Sequence, residues 1–138
     1  MPRPKLRDDE LRDRLVSVGL EVLRSDGPSA VTARNVATVA QTSTAALYEL
    51  FGDKAGLIRQ LFSAGFEQLA DRLDAVESTG DARGDVVALL AEARTMALEA
   101  PMLHELMTGR PFAEFDPTAA DAAAAKRIYR TIVTAVRT

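Results

Sequence analysis

The stretch from Thr32 to Phe51, TARNVATVAQTSTAALYELF, contains two short helical patterns with very few residues between them. Thr32 and Ser43 each stand directly before such a pattern, where a side-chain hydroxyl can accept a hydrogen bond from a free backbone N–H group. Helices this short are stable only when they pack on each other and on a third helix. The spacing predicts a helix-turn-helix, a motif whose second helix enters the major groove of DNA.

The sequence before this motif predicts the third helix. Apolar residues recur at steps of three and four from about Asp9 to Arg24, which is typical of a helix with one buried face. Gly27 and Pro28 follow and favour a helix end. Residues 1–7 carry three basic side chains and two prolines, and they are predicted to form a flexible basic arm.

The sequence after the motif predicts further helices. Asp53 is placed to cap a long helix that begins at Lys54. A polar segment at 78–84 separates it from a helix over about 85–99, a short helical turn over 102–108 and an irregular segment over 109–116. Asp116 and Pro117 are predicted to open a final helix, as an N-cap and a first helical residue. The chain is therefore predicted to be all-α.

Composition limits the classes of function that need to be considered. The chain has 138 residues and no cysteine, which excludes disulfides and thiolate metal sites. It contains no recognisable Ser-His-Asp spacing, no Gly-rich phosphate loop and no helical metal motif, so neither an enzyme nor a cofactor is expected. No signal-peptide pattern or long apolar run is present, so we expect a cytoplasmic location without a membrane partner.

Charge is unevenly distributed along the chain. The net charge is −3, but residues 1–60 hold nine Lys or Arg against eight acids, whereas the remainder holds eight against twelve. DNA binding requires positive charge near the phosphates and does not require a basic protein overall. The distribution permits DNA binding without proving it.

Residues 9–69 resemble the TetR family of bacterial transcriptional regulators in residue type and spacing. The matching residues are Gly27, Thr32, Val36, Ala37, Ala40, Ser43, Leu47, Tyr48, Phe51, Lys54 and Leu57. The resemblance implies a helix-turn-helix DNA-binding domain over 9–69, with the motif at 32–51. It also implies that a long helix joins this domain to a small helical ligand-binding and dimerisation domain over 70–138, which is shorter than in most family members.

The resemblance also implies which residues touch DNA. Thr32 and Arg34 would lie near a phosphate, as would Tyr48 and Lys54. Base edges would be contacted from the start of the second motif helix, by Ser43, Thr44, Ala45 and Ala46. The alternative is that Thr32 and Ser43 are only helix caps and that Tyr48 only packs. Arg3 and Lys5 could follow the minor groove or the backbone, or could belong to a solubilising tail.

The chain departs from the family pattern at Gln41 and Thr42 in the turn, and at Glu49 and Leu50 in the second motif helix. Gln41 stands where the turn usually has glycine, so a left-handed conformation there would cost roughly 1–2 kcal/mol. Glu49 would repel a nearby phosphate, so we expect it to point away from DNA or to weaken binding.

A group of large side chains in the second half could line a cavity for an apolar ligand, because methionine adapts to varied shapes. Its members are Met96, Met102, His104, Met107, Phe112, Phe115 and Tyr129. Core packing is the alternative for each of them. His104 is the chain's single histidine, and without suitable partners it does not suggest a metal site.

These observations predict a DNA-binding transcriptional regulator, with repression as the expected mode. It would bind double-stranded operator DNA as a homodimer and respond to a small apolar or amphipathic effector. The alternative is a degenerate helical module that binds a partner protein instead of DNA; Gln41, Glu49 and the acidic balance motivate it.

Overall fold

The computed structural model describes the backbone of residues 5–137 and their side chains except those at positions 5, 6 and 124. Within this range the protein consists of α-helices, two short 3-10 turns and connecting segments, without a β-strand, which confirms the all-α prediction. The helices are α1 (Lys5–Asp26), α2 (Ala33–Val39), α3 (Thr44–Phe51), α4 (Lys54–Asp74), α5 (Ala82–Glu99), α6 (Pro101–Thr108) and α7 (Ala123–Arg137). The 3-10 turns are Pro28–Ala30 and Ala120–Ala122. No helix in the described range is both long and apolar enough to cross a membrane.

Three short side chains fix where the helices around the motif begin. The Thr32 hydroxyl accepts a hydrogen bond from the Asn35 N–H at 3.1 Å, and the Ser43 hydroxyl accepts one from the Ala46 N–H at 3.0 Å. The Asp53 carboxylate accepts one from the Gly56 N–H at 2.8 Å. The predicted caps of α2, α3 and α4 are confirmed, and they leave only four residues between α2 and α3.

Helix α4 packs against both halves of the chain. Its Leu57, Ile58 and Leu61 are fully buried, in the same apolar cluster as side chains of α1, α2, α3 and α6. Gly65 lets α6 approach closely, since a Cβ at this position would lie 2.9 Å from a Leu103 methyl. The helix runs through residues 69 and 70, so the two predicted domains share it.

Ion pairs join α4 to the helices that follow it. The Arg72 guanidinium lies 2.7 Å from the Glu92 carboxylate and 2.8 Å from that of Glu99, both on α5. Arg127 of α7 pairs with Asp71 and Asp74. These contacts hold α5 and α7 along the second half of α4.

The ends of two helices differ from the sequence prediction. Helix α1 begins at Lys5, so the predicted flexible arm cannot extend over residues 5–7. Helix α7 begins at Ala123 and not at Pro117. The reason is long-range: the Asp121 carboxylate accepts the Thr118 N–H at 2.8 Å and pairs with Arg59 of α4, which holds this stretch in a turn.

The turn between α2 and α3 contains a strained residue. Gln41 has a φ of 60°, in the left-handed region that favours glycine. Its N–H donates to the Thr38 carbonyl, and the Thr42 N–H donates to the Ala37 carbonyl, so the turn has the hydrogen bonds of a Schellman motif. The predicted left-handed position is therefore present and is occupied by a residue with a Cβ.

Replacing Gln41 by glycine should stabilise the protein by about 1 kcal/mol, because glycine adopts this conformation without the Cβ clash. The free energy of unfolding, measured by urea denaturation, would show the gain. Gln41→Ala is the matched control, since alanine keeps the Cβ and should leave stability nearly unchanged. Equal stability of the two variants would show that the turn is not strained.

Candidate nucleic-acid interface

The first turn of α3 presents small side chains to solvent. Ser43, Thr44 and Ala45 are exposed, whereas Leu47 on the opposite side of the helix is fully buried. The hydroxyl of Thr44 and the methyl group of Ala45 are therefore accessible to a groove of DNA. A hydroxyl can hydrogen-bond a base edge, and a methyl group can contact the methyl group of thymine.

Ala46 differs from its three neighbours. Its side chain is only 7% exposed and belongs to the core cluster. Ala46 is followed by the fully buried Leu47 and lies one turn before Leu50, which packs against the core, so it falls on the inward side of α3. The expectation that Ala46 faces base edges is corrected: it supports α3 from behind.

Polar and aromatic side chains surround the exposed turn. Arg34, in the first turn of α2, is exposed, and so is Tyr48, with 44% of its surface accessible. The resemblance predicted that both contact a backbone phosphate, and their exposure leaves the side chains accessible for such a contact. The sequence prediction did not include Val39, which lies at the end of α2 with 59% of its surface exposed. Its exposure could have been predicted, because Val39 does not lie on the apolar face formed by Val36, Ala37 and Ala40.

Lys54 has a partner within the protein. Its ammonium lies 3.1 Å from the carboxylate of Glu114 and 5.6 Å from the centre of the Phe112 ring. Its side chain is 31% exposed. The helix that begins at Lys54 follows α3 after two residues, so the ammonium is near the proposed DNA face but already carries a counter-charge. No sequence pattern indicated this contact, because Glu114 is sixty residues away.

Charges of both signs lie near α3: the Arg12 guanidinium is 5.9 Å from the centre of the Phe51 ring, and two acidic side chains are also close in sequence. Glu49 is exposed on α3, and Asp53 is exposed beside it. The carboxylate of Asp53 accepts a hydrogen bond from the Gly56 N–H and so caps α4, which is a structural role. Of the two basic residues predicted before α1, Arg3 lies outside the described residues. Lys5 is the first residue of α1.

The predicted effector residues do not meet in one cavity. Met96, His104 and Met107 line a void of only about 20 Å³. Phe112 and Phe115 are each 5% exposed and fill space against α4, with the Phe115 ring 5.4 Å from that of Phe62.

The two remaining candidates also lie elsewhere. Met102 is half-buried against the core, and Tyr129 is 69% exposed on α7, so it faces solvent. Core packing, which was the alternative, describes most of the group. Among the described residues, no three His, Asp or Glu side chains are grouped to hold a metal ion.

A larger cleft lies between the end of α4, the start of α5 and α7. Its volume is about 590 Å³. Apolar side chains of Leu73, Val76 and Leu89 contribute to its lining, together with charged ones that include Arg127 and Arg130. The cleft is therefore amphipathic in character.

One wall of the cleft contains a buried carboxylate. Asp85 accepts hydrogen bonds from the Thr79 hydroxyl at 2.7 Å and from the Thr79 N–H. The Thr79 hydroxyl, with help from the backbone N–H groups of Thr79 and Gly80, holds the pKa of Asp85 below its usual value in spite of burial. The carboxylate fixes the segment between α4 and α5, which shapes the entrance to the cleft.

Known proteins share the helix-turn-helix sequence pattern and the helical fold. Residues 15–61 match the family described as bacterial regulatory proteins, tetR family. A similar solved structure is that of SCO4313, which is described as a regulatory protein; it superposes with a TM-score of 0.78 at 25% sequence identity over 98% of this chain. The chain spans 64% of the length of that protein. Curated protein sequences include no significant match. Residues 15–61 are therefore similar to the helix-turn-helix region of the tetR family of bacterial regulatory proteins, and the chain shares the helical fold of SCO4313.

Proposed function

We propose that the protein represses transcription by binding operator DNA as a homodimer, with the exposed turn of α3 in the major groove of each half-site. The observation that carries the proposal is the exposure of Ser43, Thr44 and Ala45 at the start of a helix whose other side is buried. No part of the described protein covers this turn, so a groove can receive it. Half-site spacing then follows from the distance between the two copies of α3.

The mixture of basic and acidic side chains near α3 supports a binding mode with few phosphate contacts. Arg34 and Lys54 are the basic residues predicted at this face, and Glu49 and Asp53 oppose them. Each neutralised phosphate contributes a salt slope of about 0.9. A modest salt dependence, with a large share of specificity from direct base contact, is therefore expected.

Exposed apolar side chains support association with a second copy. Val87, Leu90 and Leu98 lie on α5 with 58–64% of their surfaces exposed, and Tyr129 and Val136 lie on α7. Burial of such side chains in an interface would remove apolar surface from water. The proposed dimer uses α5 and α7, which keeps α3 of each copy free for DNA.

The amphipathic cleft supports a response to a small molecule. We propose that an effector with an apolar body and a polar or charged group binds between α4, α5 and α7. Such a molecule can change DNA binding only if its affinity differs between the DNA-bound and free conformations. Helix α4 connects the two sites, because its first turn lies beside α3 and its last turns line the cleft.

Addition of small amphipathic compounds that raise the melting temperature should therefore change the affinity for duplex DNA. Thermal-shift screening identifies the compounds, and fluorescence anisotropy with a labelled duplex measures the affinity. Compounds that bind the cleft and leave DNA affinity unchanged would contradict the effector part of the proposal while leaving the DNA-binding part intact.

Arg34→Ala should weaken binding to all DNA sequences by a similar factor and should lower the salt slope by about one per protomer, because a phosphate contact carries no sequence information. The affinity for DNA flanking the chain's own coding region is measured at several salt concentrations. The binding stoichiometry, measured on the same duplex, tests for two chains per duplex. Arg24→Ala removes another exposed arginine, on α1 and outside the proposed dimer helices, and should have no such effect.

Thr44→Ala should change the preference among DNA sequences at one base position by about 1 kcal/mol, because that is the usual net contribution of a hydrogen bond. It should leave the salt slope unchanged. Selection of duplexes from a randomised pool, compared between wild type and variant, measures the preference. Ser29→Ala, an exposed hydroxyl outside α3, is the control. Identical selected sequences for all three proteins would show that Thr44 does not read a base.

A further inference from the structure

A segment without α-helix, residues 109–119, lies against the first half of α4. Two of its aromatic side chains anchor it: Phe112 and Phe115 are each 5% exposed within the core cluster. Phe115 packs 5.4 Å from Phe62 of α4, measured between ring centres. Because these anchors are buried with the core of the helix-turn-helix, the position of the segment is fixed relative to the proposed DNA face.

A second contact fixes the 3-10 turn that directly follows the segment. Arg59 of α4 lies 2.9 Å from the Asp121 carboxylate and 5.5 Å from the centre of the Phe115 ring. The side chain of Asp121 is 6% exposed. Burial alone would raise the pKa of this carboxyl group, but hydrogen bonds from Thr118 and Arg59 outweigh it and lower the pKa. The carboxylate therefore stays charged and keeps its partner at neutral pH.

Between these anchors, Glu114 is held against Lys54. The Lys54 ammonium lies 3.1 Å from the Glu114 carboxylate, and the side chain of Glu114 is 48% exposed. Lys54 is in the first turn of α4, two residues after α3 ends. A phosphate that approached this ammonium would also approach the Glu114 carboxylate, and two like charges at contact distance repel each other.

We propose that Glu114 is an autoinhibitory residue, whose carboxylate competes with a DNA phosphate for the ammonium of Lys54. The inference rests on the proposed DNA-binding function. Segment 109–119 lowers the affinity for DNA while it remains docked, and any event that withdraws Glu114 frees a phosphate contact. The second half of the chain thereby acts on the DNA face through a single ion pair, without a change in the orientation of α3.

The exposure of the pair makes such an exchange feasible. A solvent-exposed ion pair contributes little to stability, with a median of about 0–1 kcal/mol. Lys54 can therefore leave Glu114 without unfolding the segment, which its two buried aromatic rings keep in place.

Glu114→Gln tests the inference, because it removes the charge and keeps the size of the side chain. It should tighten binding to a random-sequence duplex by roughly three- to tenfold per protomer at low salt. It should also steepen the salt slope by about 0.9 per protomer, since Lys54 would then displace a counterion from a phosphate. Circular dichroism and thermal melting establish that the variant folds as the wild type does.

Two comparisons separate this competition from a general effect of charge. Asp116→Asn removes the same charge from the same segment, but Asp116 is paired with Arg110 and its side chain is 86% exposed, so a smaller gain is expected. In a Lys54→Ala background, the gain from Glu114→Gln should fall to that of Asp116→Asn, because the group for which the carboxylate competes is gone and only the general effect of charge remains.

Each outcome decides the matter. A gain for Glu114→Gln that exceeds the gain for Asp116→Asn, and that falls to the Asp116→Asn level without Lys54, supports the inference. Equal gains for the two variants, no gain, or a gain that is undiminished in the Lys54→Ala background would overturn it while leaving DNA binding established. If the wild type and every variant failed to bind any duplex at low salt, the proposed function would fail, and the inference with it.

Discussion

Burial of one row of α4 side chains is the interaction on which the rest of the protein depends. Leu57, Ile58 and Leu61 are fully buried between the helices of the motif and the elements that follow. Burying each of them contributes about 1.5–3 kcal/mol, which short helices such as α2 and α3 cannot obtain alone. The helix-turn-helix is therefore stable as part of a larger core, and α6 and segment 109–119 complete that core.

This shared core has a consequence for function. Because the same helix supports α3 and lines the amphipathic cleft, the proposed DNA and effector sites rest on one element. The ion pair between Lys54 and Glu114 adds a direct electrostatic connection between the halves. The net charge of −3 does not oppose the proposed DNA binding, since the charges near α3 act at short range and more distant ones are screened.

The sequence predicted the motif well because its determinants are local. Thr32, Ser43 and Asp53 bond to N–H groups three residues away, so chain spacing alone specifies the caps. The left-handed residue between α2 and α3 is local too, and it was predicted at Gln41. The predicted effector residues do not line a single cavity, and the reason is the opposite one. The sequence shows that Phe112 and Tyr129 are large side chains, but it does not show which space each of them fills.

The amino-acid sequence by itself determined the helical class, the helix caps and the motif at 32–51, because each depends on residues within one or two turns of each other. Tertiary structure decided the rest. It buried Ala46, gave Gly65 a packing role against α6 and delayed the start of α7 to Ala123. It also placed Glu114 on Lys54 across sixty residues of chain. These outcomes depend on which surfaces meet when the helices pack, and such long-range contacts leave no periodic or short-spaced pattern in the chain.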